Sequence, residues 1–97
     1  MNQSNLTKLR DSINDLPEGD LLRNGSYVNP DSGTRCTVGH AARLAQPPSY
    51  PRWGTTSQRA QDWLDCSYDD LDQLINVNDT AGKAAVISLL DIWLARA

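Results

Sequence analysis

Lys83-Ala84-Ala85-Val86-Ile87-Ser88-Leu89-Leu90-Asp91-Ile92-Trp93-Leu94-Ala95-Arg96 is the stretch that decides the fold of this 97-residue chain. Coiled into a helix, it is apolar nearly all round, interrupted by Ser88, Asp91 and Arg96, and a helix so hydrophobic is normally buried. Either neighbouring helices enclose it, or a second copy of the chain seals part of it. Just upstream, Asn76-Val77-Asn78-Asp79 reads as a break, with Asn78 or Asp79 capping the last helix through Thr80 and Ala81.

Further back, Ser67-Tyr68-Asp69-Asp70 sets a cap three residues before an acid, the signature of a helix start, and Leu71, Leu74 and Ile75 follow on one face. Asp69, Asp70 and Asp72 then fall in the first turns, where the helix dipole favours negative charge. Thr55 or Thr56 can cap a third helix, from Ser57 to about Asp65, that places Ala60, Trp63 and Leu64 together. Residues 46–56 are expected to form a proline-bearing loop with Tyr50 and Trp53. A second helix is expected from near Thr34 through Leu44, stopped by Gln46-Pro47-Pro48. Its small residues Cys36, Gly39, Ala41 and Ala42 would let another backbone come close, which would offset the roughly 1 kcal/mol that Gly39 costs relative to Ala in a helix. Three turn signals, Asn24-Gly25, Asn29-Pro30 and Ser32-Gly33, surround a short extended candidate at Ser26-Tyr27-Val28. Ser4 can cap a first helix with Leu6, Leu9, Ile13 and Leu16 in one stripe, ended by Pro17 and Gly19.

These readings predict an all-α domain over residues 1–97, a compact bundle of four to five short helices around the C-terminal one, with at most one short strand at 26–28. Length agrees: a chain of 10.7 kDa should expose roughly 5,500 Å² folded against about 15,500 Å² unfolded, enough for one core and too little for two. With 39% apolar and 22% charged residues, the chain is too hydrophobic for disorder and lacks the apolar run of a membrane span. Residues 1–10 have no apolar core of the signal-peptide kind, so a cytoplasmic location is expected. Two cysteines, Cys36 and Cys66, are too few for a disulfide scaffold and are expected to be free thiols.

Charge excludes some function classes. A net charge of −3 argues against a general binder of phosphate backbones, so no direct nucleic-acid partner is expected. Along the chain the charge is uneven. Residues 21–59 carry five arginines against Asp31, whereas residues 60–82 carry Asp62, Asp65, Asp69, Asp70, Asp72 and Asp79 with no Lys or Arg. Such a run solvates one face of the fold, or it docks a partner. A helix-turn-helix reading of the third and fourth helices fails because the would-be recognition helix carries Asp69, Asp70 and Asp72, which repel phosphates. An acidic surface could instead imitate nucleic acid and compete for a basic groove. Tyr27, Tyr50, Trp53 and Tyr68 lie in or beside loops, and Tyr and Trp are residue types that dominate binding hot spots; the competing reading is that Trp53 and Tyr50 cover the core.

Catalytic chemistry has weaker support. Cys36 and His40, four apart, would share a helix face, and a thiolate at a helix N-terminus beside an imidazole is an arrangement for nucleophilic attack. Core packing of the cysteine and a structural hydrogen bond by the histidine explain the same residues. No oxyanion donor or orienting third group can be assigned. The paired short spacings of zinc sites are missing, so neither metal nor cofactor is expected, and no Gly-rich phosphate loop occurs.

Arg35-Cys36-Thr37-Val38-Gly39-His40-Ala41 and Leu74-Ile75-Asn76-Val77-Asn78-Asp79, followed by the apolar helix with Val86 and Leu90, resemble a family of small uncharacterised bacterial and phage proteins. Its members pair a Cys-x-x-Gly-x-Ala segment with a later Asn-Asp break before a C-terminal helix; where they tend to carry Trp before that pair, this chain has Val77 and Asn78. The resemblance implies a compact helical fold and an origin in a phage or mobile element, and no activity. The leading expectation is a non-enzymatic module that binds a protein partner, in the manner of an inhibitor, through Asp62, Asp65, Asp69, Asp70 and Asp72 with Tyr68 and Trp53. The alternatives are a small hydrolase or transferase using Cys36 and His40, and a homo-oligomer joined through the C-terminal helix.

Overall fold

Four of the five helices begin where a side chain satisfies amides that the helix itself leaves open, as seen in a computed structural model that describes residues 1–17, 19–45 and 55–96. Helix α1, Gln3–Asn14, buries Leu6, Leu9 and Ile13 along one stripe. Its cap is Asn2 rather than Ser4: the Asn2 side chain accepts from the Asn5 amide at 3.0 Å, and the Asn2 amide donates to the Leu64 carbonyl at 2.8 Å. The second bond explains the choice, because it fastens the start of α1 to another part of the fold. Helix α3, Thr56–Leu64, is capped by Thr55, and α4, Tyr68–Ala81, opens on the expected box. There the Asp70 amide donates to Ser67 Oγ at 3.1 Å and the Ser67 amide to Asp70 Oδ2 at 3.3 Å.

Helix α2, Thr37–Leu44, starts later than the sequence suggests, because Cys36 is extended and serves as the cap. The expected strand at 26–28 reduces to a single bridge residue. Val28 pairs with Arg35 antiparallel and Leu21 pairs with Arg35 in parallel. Turns made by asparagine side chains stop the pairing there. Asn24 Oδ1 accepts from the Ser26 amide at 3.1 Å and Asn29 Oδ1 from the Asp31 amide at 2.9 Å, so the chain reverses before a second rung can form. Gly39 is where a close approach demands glycine: a Cβ there would strike the Tyr27 carbonyl oxygen and lie 3.2 Å from Arg35 Cβ.

The largest departure concerns residues 76–79, which are helical and belong to α4. Asn78 is not a cap but a buried link. Its Oδ1 accepts from the Thr37 amide at 2.9 Å and from Thr37 Oγ1 at 2.7 Å, while its Nδ2 donates to the Leu22 carbonyl at 2.8 Å and to Asp79 Oδ1 at 2.9 Å. An asparagine is a modest helix former, and these tertiary bonds outweigh that cost. The chain turns instead at Gly82, whose φ of 84° and ψ of −167° lie outside the range of L side chains.

Helix α5, Lys83–Arg96, buries Val86, Leu89, Leu90 and Trp93 against α1 and α4. Its outer side, with Ala84, Ser88, Asp91, Ile92 and Ala95, faces solvent, and Ile92 is 48% exposed. The most enclosed helix is α2, which packs on α1, α3 and α4 and buries every residue from Thr37 to Ala42. Lys83 Nζ donates to the Leu16 carbonyl at 2.6 Å and so joins α5 to the end of α1. The result is the expected all-α bundle, with a radius of gyration of 12.4 Å, close to the value of about 12.5 Å for a single domain of this length. Among the described residues no helix is long and apolar enough to cross a membrane.

Candidate functional site

The residues that α4 buries fix which of its side chains face outward. With Leu71, Leu74 and Asn78 turned into the core, the residues at 69, 72, 76 and 79 fall at spacings of three, four and three and lie in one stripe. An open groove runs along it, lined by Asp69, Asp72, Gln73, Ile75, Asn76 and Asp79. Ten helical steps of 1.5 Å, from Asp69 to Asp79, make it about 15 Å long. Tyr68, 69% exposed, stands at the N-terminal end of α4.

Three of the six acidic residues therefore converge. Asp69 and Asp72 are exposed, whereas Asp79 is half-buried, accepts from Asn78 Nδ2, and lends its backbone carbonyl to Arg23 Nη2 at 3.4 Å. The other three do not join them. Asp70 serves the capping box, and Asp62 and Asp65 are exposed at the end of α3, outside the groove. Trp53 lies outside the described residues. Among the described residues the ion pairs join Arg10 to Asp91 at 3.0 Å and to Asp11 at 3.8 Å, and no cation among them pairs with Asp69 or Asp72. Sequence reasoning missed Asn76 and Asp79 as groove residues because it placed a break at 76–79, and it assigned Ile75 to the apolar face with Leu71 and Leu74; continuing the spacing from Asp69 and Asp72 would have found Asn76 and Asp79.

Cys36 and His40 occupy the other chemically suggestive place. Cys36 Sγ accepts from the Gly39 amide at 3.4 Å as the helix cap. Burial pushes its thiol above the ordinary value, outweighing the amides of Gly39 and Val38 that favour the thiolate. His40 is only 7% exposed. Its imidazole is held below the ordinary value first by burial and then by the positive charges of Arg35 and Arg43. Both shifts favour neutral forms, the reverse of the charge-separated pair that a nucleophilic cysteine needs. His40 Nε2 is buried and has no hydrogen-bond partner among the described residues. Cys66 is half-buried, and burial, with Asp70 nearby, pushes its thiol up to about 11. No group of three or more His, Cys, Asp or Glu among the described residues is placed to hold a metal ion.

No protein-family model matches the chain, and neither a curated protein nor a solved structure does.

Proposed function

We propose that the protein is a non-enzymatic binding module that docks on a basic surface of another protein through the α4 groove. The observation that carries this reading is the stripe of Asp69, Asp72 and Asp79, with Gln73 and Asn76 between them, on the open side of one helix. Two of those carboxylates, Asp69 and Asp72, have no cation paired with them among the described residues. The half-buried Ile75 adds an apolar wall, and Tyr68 at the end of the helix supplies an aromatic anchor of the kind that concentrates binding energy. Carboxylates in such a row attract a partner whose arginines or lysines are similarly spaced, and the attraction acts mainly on the encounter rate and on specificity. A groove that normally holds nucleic acid has that chemistry.

Substituting Asp69→Asn and Asp72→Asn together tests the reading. Both side chains are exposed and neither belongs to the capping box, so circular dichroism should show an unchanged fold. Affinity capture from a host lysate should lose its basic partner with the double variant and lose it with rising salt. Capture by the double variant at the wild-type level rejects this surface.

A further inference from the structure

A second cluster, remote from the acidic groove in sequence, has the opposite chemistry. Arg35 is fixed by the loop. Its carbonyl accepts from the Leu22 amide at 3.1 Å, and it is bridged to both Leu21 and Val28. Its Cβ lies where a side chain on Gly39 would have to go, so it sits directly against α2. On that helix His40 and Arg43 follow at a spacing of one turn and share a side. Arg43 is exposed and Arg35 half-buried. Neither guanidinium has an ion pair among the described residues, and the ring beside them carries a buried Nε2 without a partner.

Composition does not account for this. The chain holds 12 acidic residues against 9 lysines and arginines, so two arginines beside a histidine should ordinarily attract a carboxylate. The charges that act on the His40 ring are instead both positive. Like charges held together in a fold are costly unless something of opposite charge joins them.

We propose that Arg35, His40 and Arg43 form a binding site for a small tetrahedral oxyanion of the phosphate class. The two guanidinium groups present forked N–H donors suited to such an anion, and the imidazole, whose Nε2 is buried, contributes its charge when it takes up a proton. A bound anion offsets the repulsion between the arginines and the imidazolium, so it takes up a proton at His40 as it binds; by linkage, it binds more tightly as the pH falls.

His40 is the sole histidine in the chain, so its ring resonances report on this site alone. The probe is sulfate, whose charge stays constant across the relevant range, titrated against chloride at matched ionic strength, with inorganic phosphate as a second probe. Sulfate should shift the His40 ring signals in a saturable way, and should bind more tightly at about pH 5.5 than at about pH 7.5. Arg43→Gln removes an exposed side chain, leaves the fold in place, and should weaken sulfate about tenfold, the loss expected for one charge-assisted hydrogen bond. Identical ring signals in sulfate and chloride, or an R43Q variant that binds sulfate as the wild type does, would overturn the proposal.

Discussion

Asn78 gives the sharpest test of how the helices are held together, and Asn78→Ala is the perturbation. Removing the amide strips partners from the Thr37 amide and hydroxyl and from the Leu22 carbonyl, at bond lengths between 2.7 and 2.9 Å. Thr37 is fully buried, so water cannot replace what its two donors lose. At about 1–3 kcal/mol for each buried polar group left unpaired, and less for the half-buried Leu22 site, the cost comes to about 3–4 kcal/mol. Domains of this size have roughly 5–15 kcal/mol in total. In urea unfolding with a slope near 1 kcal/mol per molar, the midpoint should fall by about 3 M. Thr37→Val removes the hydroxyl alone and should cost about 1 kcal/mol. Because both substitutions break the same bond, the double variant should lose less than the sum by about that amount. A helix cap at the same position would cost only about 1 kcal/mol on replacement by alanine. A loss that small, with strict additivity to T37V, would refute the account of Asn78 as the buried link between α2, α4 and the loop.

Gly39→Ala sets propensity against packing. An isolated helix would gain about 1 kcal/mol from the change, but here the added methyl meets the Tyr27 carbonyl, so a net loss of about 2 kcal/mol is expected by chemical denaturation; any gain in stability contradicts the close approach. The pH dependence follows from His40, whose folded-state value lies below the ordinary one. The unfolded chain therefore binds more protons in the window between the two values. Stability is full above about pH 6.5 and declines as the pH drops through that window. His40→Leu should remove this part of the slope, so wild-type and variant curves that run parallel from pH 7 to pH 5 would contradict it.

The sequence by itself determined that the chain is helical and where two of its five helices, α3 and α4, begin. Caps at Thr55 and Ser67 and the stripe of Leu6, Leu9 and Ile13 are local: each depends on residues three or four positions apart, and the structure uses them as such. The need for a small residue at Gly39 was legible for the same reason, although the Tyr27 backbone that it accommodates was not. What lay beyond local reading depended on partners distant in the chain. Asn76-Val77-Asn78-Asp79 looks like a break because asparagine and aspartate favour caps and turns, and only Thr37 and Leu22, 41 and 56 positions away, give Asn78 a reason to stay helical. Once α4 continues, Asp79 and Asn76 join Asp69 and Asp72 in one groove, which no count of aspartates could reveal. The tail helix makes the same point. A stretch apolar on all sides carries no periodic signal of which side turns inward, so only the packing of α1 and α4 decided that Val86, Leu90 and Trp93 are covered and Ile92 is left facing water.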